Sequence, residues 1–399
     1  MNKYSMVMKK YNFDEVIERR GSNCIKHDRM MRVFGATDLQ AMWVADMDFR
    51  TPDFVMDAIN ERSKHEVLGY TFGGDGYWEA VQMWLEGHYG IKAERRDLHF
   101  VSGIVSGIAY AIQAFTEVGD GVMVMTPIYP PFLNLPKGSG RRLVWSDLKV
   151  VDGRFEIDWD DFEMKVKGCK LLLLSNPHNP AGRVWSESEL GRIAELCAGN
   201  GVTVVADEIH ADLVLKGYCH KSFVTVSEAA RKCGVLFMAP SKTFNIAGLS
   251  SSVCYIGDED LRRRFYDGYL DVYEVANGNV YAFVGAEAAF RYGEDWRRQM
   301  LDYVEENRAV MEDFVGRNMP KVEVMRTEAS FLSWMYFGGY GLSHGEMRRR
   351  LIEVAKVGLN DGTSFGGERF GNWFRLNFGC PRSELLLGLG KIASMLEKI

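Results

Sequence analysis

The feature that most limits the fold is a series of short apolar runs in the middle of the chain, each followed by a helical or polar stretch. Residues 122–126, 171–174, 202–206, 235–239 and 252–256 are strand-length and rich in Val, Leu and Met or other small apolar side chains. Residues 99–101 are strand-like, and 104–115 carry a helix pattern. Residues 186–199 read as a helix: Ser186 suits the N-cap, Glu189 completes a capping box and Gly199 suits the end. Strands alternating with helices predict βαβ units and a largely parallel sheet, hence an α/β fold. After about residue 290 the pattern changes to an α+β unit, with helices over 294–315, 344–357 and 383–396 and strands over 322–325, 331–337 and 374–378. The first fifty residues are irregular. The reading is a large domain over 51–290 and a small one over 291–399, with 1–50 packing on the small domain.

Composition sets the remaining bounds. A chain of 399 residues, 47% hydrophobic, can bury a sizeable core, which excludes dominant disorder. A net charge of −6 argues against a nucleic-acid partner, and Arg348, Arg349 and Arg350 read as one solvated helix face. No run approaches the roughly 18 apolar residues of a membrane span, and residues 1–11 lack the apolar segment of a leader peptide. Seven cysteines with no CxxC spacing read as free thiols of a reducing cytoplasm.

Chemically capable residues fall just past the carboxyl ends of the predicted strands. Thr126, Pro127, Ile128 and Tyr129 follow one; Asn176 to Pro180 follow the next; Asp207 to His210 end the third; Ser241 and Lys242 follow the fourth. In an open α/β sheet that edge is where ligands bind. Lys242 lies one βαβ step after Asp207, so the two could form an ordinary ion pair. The alternative is that Lys242 forms an imine with an aldehyde cofactor. Pyridoxal phosphate needs such a lysine and an acid at its ring nitrogen. It also needs a donor to its phenolate, an aromatic on its ring and a phosphate cradle. Asn179, Tyr129 and the start of the helix at Ile104 and Val105 can supply these.

Two other readings are weaker. Asp207, Glu208, His210, Asp212, Cys219 and His220 suggest a metal cluster, but no HxxxH or CxxC spacing supports it. A strand continued through 210 would also turn His210 away from Asp207. Glycines 73, 74 and 76 lack the strand–GxGxxG–helix setting of a dinucleotide fold.

Three motifs then make the chain recognisable: Ser-Asn-Pro-His-Asn-Pro-Ala-Gly-Arg-Val-Trp at 175–185, Asp-Glu-Ile-His-Ala-Asp-Leu at 207–213 and Ala-Pro-Ser-Lys-Thr-Phe-Asn-Ile-Ala-Gly-Leu at 239–249. Together they resemble the fold-type I pyridoxal-phosphate enzymes, aminotransferase class I/II. Val-Ala-Asp-Met-Asp-Phe at 44–49 and Leu-Gly-Tyr-Thr at 68–71 resemble the C–S β-lyase branch of that family, the cystalysin-like cystathionine β-lyases. The resemblance runs from about residue 40 to the C-terminus.

It implies a large cofactor domain, its mostly parallel sheet sandwiched by helices, and a smaller α+β domain. It implies pyridoxal 5′-phosphate as cofactor, with Lys242 as the Schiff-base lysine, Asp207 at the pyridine nitrogen and Asn179 at the phenolic oxygen. Tyr129 would stack on the ring; Ile104, Val105 and Ser241 would hold the phosphate; Tyr70 would reach the phosphate of the partner in a homodimer. Arg375 would clamp the carboxylate of an amino-acid substrate, with Ala45 beside it.

The implied reaction is β-elimination of L-cystathionine or another cysteine S-conjugate to thiol, pyruvate and ammonia. Lys242 would act as general base. The alternative is an aminotransferase using a 2-oxo acid. Residues 248–252 contain no arginine, where many class I aminotransferases carry one for the phosphate, which favours the lyase. Pro130 follows Tyr129 where some lyases carry a second aromatic.

Overall fold

The apolar runs become the middle of one sheet. In a computed structural model that describes residues 9–399, seven strands pair: β1 (Leu98–Val101), β2 (Gly121–Thr126), β3 (Arg142–Asp147), β4 (Leu171–Ser175), β5 (Thr203–Asp207), β6 (Gly234–Met238) and β7 (Ser252–Tyr255). Most of the stretch read above for a leader, residues 1–8, lies outside the described residues. The spatial order is β1-β7-β6-β5-β4-β2-β3. Only β7 runs antiparallel to its neighbours; the rest are parallel, as an α/β fold requires.

Every residue of β2, β4 and β6 is buried. Helices cover both faces, so these strands read as continuous apolar runs. Alternation within them still sorts side chains between two cores. Val122, Val124, Leu171, Leu173 and Val205 pack with Ile104, Ile108 and Ile112 of the helix Ile104–Phe115. Met123, Met125, Leu172, Leu174, Val204 and Ala206 join the larger core on the opposite face.

A second, antiparallel sheet joins Glu323–Val324, Leu332–Tyr336, Trp373–Asn377 and Asn360–Asp361 in that order. The helices Glu294–Asn318, His344–Glu353 and Arg382–Leu396 accompany it. The N-terminal segment is less irregular than its sequence suggests. It forms short helices over Ile25–Asp28 and Met30–Phe34, and Gln40–Ala41 pairs in parallel with Val357–Gly358.

The capping box at Ser186 forms as the sequence predicts: the Ser186 hydroxyl accepts from Glu189 N at 3.2 Å, and Glu189 accepts from Ser186 N at 2.7 Å. Other elements carried no such mark. β3 is a half-exposed edge strand reading Arg-Leu-Val-Trp-Ser-Asp, so no continuous apolar run announces it. The helix Val280–Tyr292 is buried around much of its circumference and rich in alanine and aromatic residues, which hides a helical stripe.

Gly182 takes a left-handed φ of +69°, and a Cβ there would stand 2.1 Å from the carbonyl oxygen of Ala329. Backbone cannot yield as a side-chain tip does, so Gly182→Ala is expected to lose about 2 kcal/mol or more. Urea unfolding checks this; an unchanged midpoint would reject it.

Candidate active site

Register brings three strand ends level: Ser175 pairs with Asp207, and Asp207 with Phe237. The chain leaves β2 for the outer strand β3 and returns to β4, so the crevice beyond β2 and β4 is a topological switch point. A cavity of about 110 Å³ opens there, lined by Ala45, Ile104, Val105, Tyr129, Ser175, Asn179, Asp207, Ile209, His210 and Lys242. A roomier surface cleft of about 500 Å³ lies beside Tyr11 and Tyr303, but it is far more open and gathers none of these groups.

The loops after β2 and β4 hold each other. The His178 imidazole is fully buried, and its Nε2 donates to the Pro127 carbonyl at 2.8 Å. Burial lowers its pKa to about 4, so the ring is neutral and donates one proton. Ser175 Oγ donates to the Pro177 carbonyl at 3.0 Å and accepts from Asn179 N at 3.3 Å. These bonds hold the loops that bring Tyr129 and Asn179 to one cavity. Burial raises the Tyr129 phenol above its ordinary value.

Asp207 ends β5 and is 9% exposed. Its Oδ1 accepts from Ile209 N at 3.0 Å, and no cation of the described residues reaches it within ion-pair distance. Burial pushes its carboxyl up to about 7, against the pull of Lys242. Lys242 Nζ donates to the Ala45 carbonyl at 2.5 Å. Burial lowers that amine to about 8, while Asp46 and Asp207 oppose the shift and Arg375 adds to it. Asp207 and Lys242 are thus not the simple ion pair the sequence allowed.

Arg375, from the strand Trp373–Asn377, is 3% exposed and has only neutral partners. Its Nη1 donates to Asn179 Oδ1 at 2.9 Å; its Nη2 donates to the Trp43 carbonyl at 3.1 Å and Asn360 Oδ1 at 2.6 Å; its Nε has no partner. Burial lowers its pKa to about 10. A buried guanidinium with no anion is costly, so the site is built to receive one.

The helix Ile104–Phe115 starts beside the cavity. Its N-cap is Gly103, at φ +107°, with no side-chain cap, so its first N–H groups face outward. Ser241 adjoins Lys242 but does not line the cavity. Tyr70 stands fully exposed on a loop of this chain, away from its cavity.

Three lining residues, Ser175, Ile209 and His210, were given no role in the sequence reading. His210 was expected to face away from Asp207. The strand ends at Asp207, however, and a turn through 208–210 followed by the 3₁₀ helix Ala211–Leu213 brings His210 to the same cavity. The facing rule failed because the strand did not continue. Ile209, two residues past the strand end, and Ser175, at the last strand position, reach the cavity from their places on the sheet edge. Among the described residues no group of three His, Cys, Asp or Glu could hold a metal ion.

This edge, with a lysine, a buried acid, an aromatic and a helix start around one crevice, defines a cofactor-type α/β enzyme site. The model of "Aminotransferase class I and II" matches residues 42–392, and the chain belongs to that family. The cystathionine beta-lyase PatB of Bacillus subtilis is 40% identical over 97% of this chain and all of its own length. The PLP-bound C-S lyase of Staphylococcus hominis superposes with a TM-score of 0.89 at 32% identity, covering 97% of this chain and 98% of that one. Cystalysin of Treponema denticola, which contains pyridoxal 5′-phosphate, superposes with a TM-score of 0.93 at 28% identity, covering 98% and 100%.

In the ligand-free chain, the raised pKa of Asp207 makes a signed prediction. The folded state keeps its proton up to about pH 7, while an unfolded aspartate releases it near 3.8. The native state therefore binds more protons across that window, and this group's contribution to stability falls as pH rises. Relative to wild type, Asp207→Asn is expected to gain a few kcal/mol between about pH 4 and about pH 7. Denaturant unfolding of both proteins across this range checks it; a constant difference would reject it.

Proposed function

We propose that this protein is a pyridoxal-phosphate-dependent carbon–sulfur β-lyase, cleaving L-cystathionine or another cysteine S-conjugate to a thiol, pyruvate and ammonia. The observation that carries the reading is two buried ionisable groups without a counter-ion: Asp207, which lines the cavity and meets no cation, and Arg375, which bonds the lining residue Asn179 and meets no anion. The first fits a protonated ring nitrogen and the second a substrate carboxylate. The uncapped helix start at Ile104 and Val105 fits a phosphate. When bound, pyridoxal phosphate supplies an electron sink for carbanionic charge at the amino acid Cα.

The chain's own residues do the rest. Lys242 would hold the cofactor aldehyde, and its Nζ would take the Cα proton of the substrate. An amine near 8 is matched to that work at neutral pH. Asp207 would hold the proton on the pyridine nitrogen and so stabilise charge that develops in the transition state. Asn179 would donate to the phenolic oxygen, Tyr129 would cover the ring, and Ser241 would join Ile104 and Val105 at the phosphate. Arg375 grips the substrate carboxylate with its two-nitrogen fork, orienting the Cα–H bond beside Lys242; Ala45 forms the adjacent wall. The thiolate then leaves Cβ.

Incubated with L-cystathionine and no 2-oxo acid, the cofactor-loaded protein should release pyruvate and thiol in equal amounts. Lys242→Ala should lose about 10³-fold or more in turnover. Amino transfer that appears only when a 2-oxo acid is supplied would instead make it an aminotransferase; near-normal turnover by Lys242→Ala would remove the assigned base.

The working form is a cytoplasmic homodimer in which Tyr70 reaches the partner's phosphate. Supporting this, Val67, Leu68, Tyr70 and Phe72 lie 62–112% exposed on one loop, an apolar run that a lone chain would leave in water. Light scattering should give twice the chain mass of 45.3 kDa. Tyr70→Phe should weaken cofactor retention; a monomer with full retention would exclude the shared site.

A further inference from the structure

Two carbonyls of one irregular segment, residues 43–49, face the two cations of the site. Trp43 O accepts from Arg375 Nη2, and Ala45 O accepts from Lys242 Nζ. The segment lies in no strand, and one backbone–backbone bond, Asp48 N to the Gly379 carbonyl at 2.9 Å, ties it to the chain beside it. From the sheet side Asn377 Nδ2 donates to the carbonyls of Val44 and Asp46, at 2.6 and 2.7 Å. Asn245 accepts from Met47 N at 3.1 Å and donates to the Phe49 carbonyl at 2.7 Å.

From the outside, the N-terminal segment closes on the same stretch with two cations. Lys26 is 1% exposed; its Nζ lies 2.5 Å from Asp48 Oδ2 and donates to the Asp46 carbonyl at 3.3 Å. Arg19 reaches Asp46 Oδ2 at 2.7 Å, Asp48 Oδ1 at 2.5 Å and the Met47 carbonyl at 3.2 Å. The Lys26 carbonyl in turn accepts from Trp43 Nε1 at 2.9 Å. An exposed pair, Arg50 with Glu15, also links the two segments, but exposed pairs contribute little. The buried Lys26 must be paired, and its partners lie within three residues of the Ala45 carbonyl.

We propose that Lys26 and Arg19 are positioning residues: their charged grip on Asp46 and Asp48 sets where the carbonyls of Trp43 and Ala45 stand. They thereby set how Arg375 meets a carboxylate and how Lys242 is aimed. A segment pinned mainly by side chains moves when one pin is removed, because its single backbone bond, Asp48 N to the Gly379 carbonyl, makes no ladder to hold it. The consequence for substrate rests on the functional reading above; the grip itself does not.

Two measurements on the cofactor-loaded enzyme separate the two claims. Arg19→Gln and Lys26→Met are compared with wild type by amide exchange and by steady-state kinetics on L-cystathionine. Arg19 is partly exposed, so its variant serves if Lys26→Met fails to fold. Exchange at Met47 and Asp48 should speed about tenfold, the size of one lost charged hydrogen bond, while β5 stays protected. KM should rise about tenfold with kcat changed less, since Arg375 binds the carboxylate. Unchanged exchange at Met47 and Asp48, or equal acceleration in β5, would overturn the proposal. So would faster exchange with KM unmoved. A wild type that leaves L-cystathionine intact would overturn the functional reading alone, and exchange would still decide the grip.

Discussion

The site depends first on strand register. Parallel pairing places Ser175 against Asp207 and Asp207 against Phe237, so the loops that follow open onto one crevice. Register is held by the two cores. Val205 packs on one face of the sheet, and Val204 and Ala206 on the other. A slip of one residue would exchange these faces and turn Asp207 away from the cavity. The hydrophobic effect, spread over many buried side chains, thus fixes the position of a few polar ones.

Those polar groups are costly. Asp207, Lys242 and Arg375 each carry a pKa moved by burial toward its neutral form, and none is neutralised by another. Their environment stabilises incoming charges of opposite sign at fixed points. Neutral supports hold them: the Ala45 and Trp43 carbonyls, Asn179, Asn360 and the Ile209 amide. A charged neighbour in their place would satisfy each group and leave nothing for a ligand to do.

Much of the fold was legible because parallel strands buried on both faces must be apolar throughout. The runs at 122–126, 171–174 and 235–239 announce themselves for that reason. β3 did not, since an edge strand alternates and ends in Ser146 and Asp147. The helix Val280–Tyr292 was hidden by its own burial. Within the site, Lys242, Asp207, Asn179 and Tyr129 were legible as polar residues past strand ends. His210 was misread because periodicity says which way a side chain points only while the strand lasts, and this one stops at Asp207.

The sequence alone determined the chemistry on offer: a lysine, an acid and an aromatic at strand ends, and a helix start after glycine. These are local facts, set by residue type and spacing. Only the tertiary structure decided how charges are left unbalanced, because that depends on what each side chain fails to meet. Arg375 comes from a strand late in the chain, and its neutral company comes from the adjoining strand, at Asn360, and from two distant segments, at Trp43 and Asn179. The grip of Lys26 and Arg19 on residues 46–48 is likewise invisible in a list of charges. Ion pairs are made by distance in space, and sequence spacing does not supply it once the chain has turned.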